Sequence, residues 1–156
     1  KLYLEDRDHT KRGNFPCGNK LCHLCNILKV GDTFESSATG MQYKINFGFN
    51  CNSSNVVYLL TCNVCKKQFV RSTTIKFRHR FNQYKSSLKL YGEGRRYFKQ
   101  VQFFEHFYSV NHNGILEDIN VQIIDYCDPN NQEIREDFWI FTLSTHDPLG
   151  LDIKNL

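Results

Sequence analysis

The chain has 156 residues, seven cysteines and a formal net charge of +4, enough for about one compact domain with an appendage. A charged leader with an apolar run behind it is missing from its start, and no apolar stretch reaches membrane-spanning length. These features argue against a secreted disulfide scaffold and against membrane insertion, and they point to a reducing nuclear or cytoplasmic setting with thiols free or on metal. The chain begins at Lys1 rather than at a methionine, which reads as a segment or C-terminal portion of something longer.

Residues 1–50 form a cysteine-containing lead-in. Cys17, Cys22 and Cys25 sit in a stretch with little hydrophobic periodicity, so a bound metal is expected to supply the order that a core would otherwise give. Farther on, the weak alternation from Met41 to Phe47 reads as a short edge strand.

Residues 51–156 carry the stronger patterns. Two short strands are expected near Asn55–Thr61 and Gln68–Ser72, joined by a Cys62-x-x-Cys65 knuckle. Ser72, Thr73 and Thr74 offer N-caps for a helix whose apolar stripe is Phe77, Phe81, Tyr84 and Leu88. Beyond the Gly92-Glu93-Gly94 break, Tyr97, Val101, Phe104 and Tyr108 repeat that spacing, and Asn111, Asn113 and Gly114 stop the second helix. Ile119–Ile123 alternates as a third strand. Asp128-Pro129 has the form of a helix start, leading through Ile134, Phe138, Trp139, Phe141 and Leu143 to a stop at Pro148 and Gly150. The order β-β-α-α-β-α predicts an α+β fold, a small sheet covered by helices.

Charge is unevenly spread. Between Lys66 and Lys99 eleven basic residues face Glu93 alone, the electrostatic footprint of a phosphate-binding surface. Lys67, Arg71, Lys76, Arg78, Lys85 and Lys89 are its candidate DNA contacts. The competing reading is a solvated helix face.

Cys62 and Cys65 need two more ligands for a closed tetrahedral Zn2+ site, and His106 and His112 stand at a separation close to that of a Cys2His2 finger. Cys17, Cys22, Cys25 and Cys51 then compose a second, all-cysteine site, with His23 as a substitute ligand. The alternative partition joins Cys22 and Cys25 to Cys62 and Cys65 and releases the histidines. Cys127 is left as a buried, inert thiol.

Tyr58 in Val56-Val57-Tyr58, then Phe69-Val70-Arg71, then Arg80 and Tyr84, then Glu136 in Arg135-Glu136-Asp137-Phe138-Trp139-Ile140 together resemble the GIY-YIG endonuclease domain. With the knuckle in Asn55–Cys62 and the terminal Pro148-Leu149-Gly150-Leu151, the pattern is similar to the C-terminal endonuclease domain of Penelope-like retroelements, from about Cys17 to Leu151.

The resemblance implies a three-stranded antiparallel sheet flanked by helices, and a nuclease that nicks target DNA, encoded behind a reverse transcriptase domain. It implies that Glu136 holds Mg2+ or Mn2+, that Arg80 neutralises charge on the phosphate, and that Tyr58 and Tyr84 position or deprotonate the water or hydrogen-bond the phosphate. It also implies that the knuckle cysteines pair with two downstream histidines. The sequence departs from the family pattern at three places: Phe69 replaces a tyrosine, Arg71 a glycine and Asp152 an asparagine. The arginine is expected to crowd the substrate or force an unfavourable φ. The alternative to a nuclease is therefore a zinc-stabilised nucleic-acid-binding module that has lost catalysis.

Overall fold

A computed structural model describes residues 11–94, 105–109 and 112–153. The core is the three-stranded antiparallel sheet formed by β5 (Val56–Cys62), β6 (Gln68–Thr73) and β7 (Ile119–Tyr126), in the order β6-β5-β7. Five of the first six residues of β5 are hydrophobic and buried on both faces, so this strand sits at the centre, where a near-continuous apolar run is expected. Before it come β1 (Gly13–Asn14), β2 (Thr33–Glu35), β3 (Gln42–Lys44) and β4 (Gly48–Phe49). The two long helices are α1 (Phe77–Gly92) and α2 (Gln132–Leu143).

Helix α1 buries the expected stripe, Phe77, Phe81, Tyr84 and Leu88, against the face of the sheet that carries Tyr58 and Leu60. Its start differs from expectation. Ser72 and Thr73 belong to β6, and the helix begins at Phe77. The N–H groups of Phe77 and Arg78 are met by the carbonyls of Ser53 and Cys51, each at 2.8 Å, so backbone replaces the side-chain cap.

Helix α2 lies mainly against β6 and begins at Gln132, three residues beyond Pro129, because Asp128–Asn131 close a turn first. It ends at Leu143 with Ser144 in the left-handed region, ahead of the expected stop at Pro148. Only Ile140 and Leu143 are buried along it, whereas Ile134, Phe138 and Phe141 are exposed. The expected second helix lies largely outside the described residues; one helical turn spans 105–107.

The expected edge strand exists as β3 but does not join the central sheet. It pairs with β2 in a separate hairpin, Phe34 opposite Tyr43, and Phe34 meets Trp139 of α2 edge-on at 5.2 Å. The lead-in shares one hydrophobic cluster with the sheet, contributing Leu24, Leu28 and Phe34. Its order therefore rests on that shared core as well as on its cysteines.

Both outer edges of the central sheet are covered, which removes exposed pairing groups. Along β7, Leu28 bridges to Val121, and the buried Asn14 side chain imitates a strand: its amide nitrogen donates to the Ile123 carbonyl at 2.9 Å, and its oxygen accepts the Ile123 N–H at 2.8 Å. Gly13 beside it has φ of +111°, and a Cβ there would collide with the Gly31 carbonyl, so only glycine allows this approach. Along β6, Leu151 N–H donates to the Gln68 carbonyl and Asp152 accepts the Val70 N–H.

Asn14→Ala leaves the Ile123 N–H and C=O without partners in a dry site, and its expected cost is about 3 kcal/mol of stability. Urea unfolding of the metal-loaded protein measures it. A cost within about 0.5 kcal/mol of zero, the usual range of surface changes, would contradict this docking.

Candidate functional site

Tyr58 lies in the middle of β5, opposite Arg71 on β6, beside a bulge of β7 where Val57 faces Asp125 and Tyr58 faces Ile123. Bulges re-aim neighbouring side chains. The Tyr58 ring packs 4.7 Å from Phe77, and its hydroxyl meets that of Tyr84 at 2.7 Å. A buried phenol requires a partner, and here each supplies the other's.

Burial raises both phenols above their ordinary pKa, strongly for Tyr58, where Tyr84 adds to the effect, while Arg80 and Arg71 act in the lowering direction on each. Both are therefore protonated near neutrality and serve as hydrogen-bonding groups. Of the roles the resemblance implies, protonated phenols suit positioning of water or a hydrogen bond to a phosphate.

Arg80 and Tyr84, four apart on α1, share a face. Arg80 Nε donates to Thr73 Oγ1 at 3.3 Å and Nη1 to Gln83 Oε1 at 3.0 Å. Glu136 comes from α2: Ser72 Oγ donates to its Oε2 at 2.7 Å, and Arg71 Nη1 stands 3.8 Å from its Oε1. Its charge reaches the Tyr84 hydroxyl as well. Thus Tyr58, Tyr84, Arg80, Arg71 and Glu136 gather from four elements around the outer part of β6.

Glu136 and Ser72 open onto a cleft of about 530 Å³ that Glu133 and Gln132 also line. A carboxylate at an open cleft suits a hard divalent cation, although the Arg71 cation stands close by. The Glu136 side chain is partly buried.

Phe69 is buried, with no hydroxyl to offer, and its ring carries the Arg71 guanidinium at 4.0 Å. Arg71 has ordinary strand backbone and is absent from the residues with positive φ, so the expected backbone strain does not arise. Its partner is Asp152, fully buried, which also receives the Val70 N–H at 2.9 Å and the Thr145 hydroxyl at 2.7 Å. Burial raises the Asp152 carboxyl, and Arg71, Thr145 and Val70 pull in the opposite direction. Two residues that depart from the family pattern are therefore bound to each other. Sequence reasoning missed this pairing, since nothing local marks two residues so far apart in the chain.

Of the basic residues, Lys76, Lys85 and Lys89 are exposed at or along α1, while Arg78 and Lys67 are half-buried. Arg95, Arg96 and Lys99 lie outside the described residues.

The cysteines form two groups that could hold metal ions: Cys17, Cys22, Cys25 and Cys51, and Cys62, Cys65, His106 and His112, the ligand atoms of each lying within 4.8 Å of one another. The alternative partition, with both cysteine pairs on one ion, is not what the fold brings together. Donors bound tetrahedrally to zinc at thiolate distance stand roughly 3.8 Å apart. The sulfurs of Cys25 lie 3.5 Å from those of Cys17 and Cys51, and Cys65 Sγ lies 3.3 Å from His106 Nε2, so the donor sets fit such an ion. Ser109 Oγ engages His112 Nδ1 at 3.2 Å, which orients that ring from behind. His23 belongs to neither group.

Burial raises Cys51, Cys22 and Cys62 above the ordinary thiol range. Burial also opposes ionisation of Cys17, but Asn19 and the neighbouring thiols outweigh it and bring this thiol to about 7. Four crowded sulfurs resist ionising together without a cation among them. Cys127 is buried away from both groups and raised to about 12 by burial and then by Asp125.

No family model, curated protein or solved structure matches this chain.

Burial, then His112 and Lys67, lower His106 from 6.5 to about 4. Between those values the folded metal-free protein binds fewer protons than the unfolded chain, so this stability is present above 6.5 and is lost as pH falls towards 4. Thermal unfolding of metal-free protein should show Tm falling across that interval, and His106→Gln should flatten the fall. An unaltered pH profile in the variant would contradict the burial of a neutral imidazole.

Proposed function

We propose that this chain is a zinc-organised, metal-dependent DNA endonuclease of GIY-YIG type, as in Penelope-like retroelements. The observation that carries the reading is the gathering of two phenols, two guanidiniums and one carboxylate from β5, β6, α1 and α2 around the outer part of β6, with the carboxylate opening onto the cleft. Glu136 would hold Mg2+ or Mn2+, which when bound supplies Lewis acidity towards a phosphate oxygen and a more acidic water. Arg80 offsets the charge that grows on the phosphate. Tyr84, with Tyr58 behind it, donates a hydrogen bond towards that same region. Lys76, Lys85 and Lys89 attract the sugar-phosphate backbone. An upstream reverse transcriptase domain, in a nuclear or cytoplasmic setting, belongs to the same reading.

Two Zn2+ ions would close the two cysteine groups, one ordering the lead-in and one the β5–β6 knuckle. Metal analysis is expected to return two zincs per chain, with Cys25→Ser losing one and Cys65→Ser losing the other. Loss of neither would remove zinc from the account.

A second reading, a DNA-binding module without hydrolysis, is favoured by specific features: Phe69 brings no hydroxyl, Asp152 is consumed by Arg71, and both phenols are closed in. Nicking of supercoiled plasmid with magnesium or manganese separates the two. The nuclease reading expects nicking by the natural chain and a loss of at least about a hundredfold in Glu136→Ala, the scale of removing a principal catalytic charge. Absence of nicking with retained, salt-sensitive binding selects the module.

A further inference from the structure

Arg71 is the only charged residue of β6. Its guanidinium is fixed on several sides: the Phe69 ring lies 4.0 Å away, the Val70 carbonyl accepts from Nη1 at 2.9 Å, and Asp152 Oδ1 accepts from Nη1 as well. A purely structural arginine–carboxylate pair tends to use the planar fork, two parallel N–H groups to two oxygens. Here the second Asp152 oxygen is taken by Val70 and Thr145, and every hydrogen bond of Arg71 to the described residues leaves through Nη1. The N–H groups of Nε and Nη2 are thus without a protein acceptor among the described residues. The side chain retains a fifth of its surface exposure, close to Glu136 at the cleft.

Charge balance says what this edge is for. Arg71 and Arg80 carry two positive charges, Glu136 and Asp152 two negative ones. The four sum to zero. With residue 71 neutral, the same group carries one negative charge and repels a phosphodiester until a divalent cation is added. Both arginines act on the paired phenol hydroxyls, so their charges bear on one small region.

We infer that Arg71 is a phosphate-binding residue of this site which takes the place of a divalent cation in the binding step: a DNA phosphodiester docks on Nε and Nη2 of Arg71, beside Arg80, with no magnesium or manganese present. This deepens the nuclease reading and rests on it for the division of labour, in which a metal at Glu136 serves hydrolysis alone. A guanidinium 3.8 Å from Glu136 also weakens that carboxylate's hold on a divalent cation, so metal is recruited after the phosphate has engaged the arginine.

Fluorescence anisotropy with a short fluorescein-labelled DNA duplex tests this, using zinc-loaded full chain in buffer free of magnesium and manganese, then with manganese added. The natural chain should bind with nearly the same Kd in both buffers. Arg71→Gln should lose about tenfold or more in the metal-free buffer, the scale of a charge-assisted hydrogen bond, and regain part of it with manganese. Arg71→Gly serves as a second variant if the glutamine variant does not fold, with the same expectation.

Equal metal-free binding by the natural chain and the variants would overturn the inference, as would natural-chain binding that requires manganese. Plasmid nicking is scored in parallel. Nicking alongside Arg71-independent binding refutes this inference and spares the nuclease reading. Arg71-dependent, metal-free binding without nicking supports the binding role of Arg71 and refutes hydrolysis.

Discussion

Cys51 is the joint on which the arrangement turns. Its thiol belongs to the four-cysteine group of the lead-in, and its carbonyl accepts the Arg78 N–H at the first turn of α1. Helix α1 has no side-chain cap of its own, so where Cys51 is held decides where the helix starts. That start sets the height of Tyr84 and Arg80 over the sheet. A cation among the sulfurs would stabilise the joint directly, because buried thiols that resist ionisation become favourable ligands once positive charge is present. The lead-in is thus coupled to the candidate site through a short stretch of backbone.

The second constraint is the central strand. β5 is paired on both sides and covered on both faces, and its one phenol must be satisfied inside the protein. The Tyr58–Tyr84 contact meets that requirement while tying α1 to the sheet. On the opposite margin, Ser72 and Arg71 bring Glu136 of α2 towards the same edge. The site lies where these separate packing demands meet, and the C-terminal segment, through Asp152, closes its outer side.

Much of this was legible in the sequence. The hairpin and the stripe Phe77, Phe81, Tyr84 and Leu88 follow from periodicity, since each strong pattern admits one way of burying its apolar face. The spacing of the cysteines marked them as ligands but left two partitions open, and only the fold, which brings Cys51 and His106 back from far along the chain, separates them. Helix starts were less visible: α1 and α2 both begin after the residues with capping chemistry, which β6 and a turn have already claimed. The docking of Asn14 on Ile123 and the bond between Arg71 and Asp152 were not legible at all. Each joins residues far apart in the chain through one side chain, and neither leaves a local pattern. The exposed Ile134, Phe138 and Phe141 likewise show that an apolar helix face need not be the face turned to the core.

The central claim is that the phenol pair, Arg71, Arg80 and Glu136 form one phosphate site. Its most direct test is a crystal structure of the zinc-loaded Glu136→Gln variant with a DNA duplex. The account predicts a backbone phosphate within hydrogen-bond distance of both guanidiniums, at the mouth of the cleft beside residue 136. A duplex bound along another face, with no phosphate near Arg71 and Arg80, would contradict it.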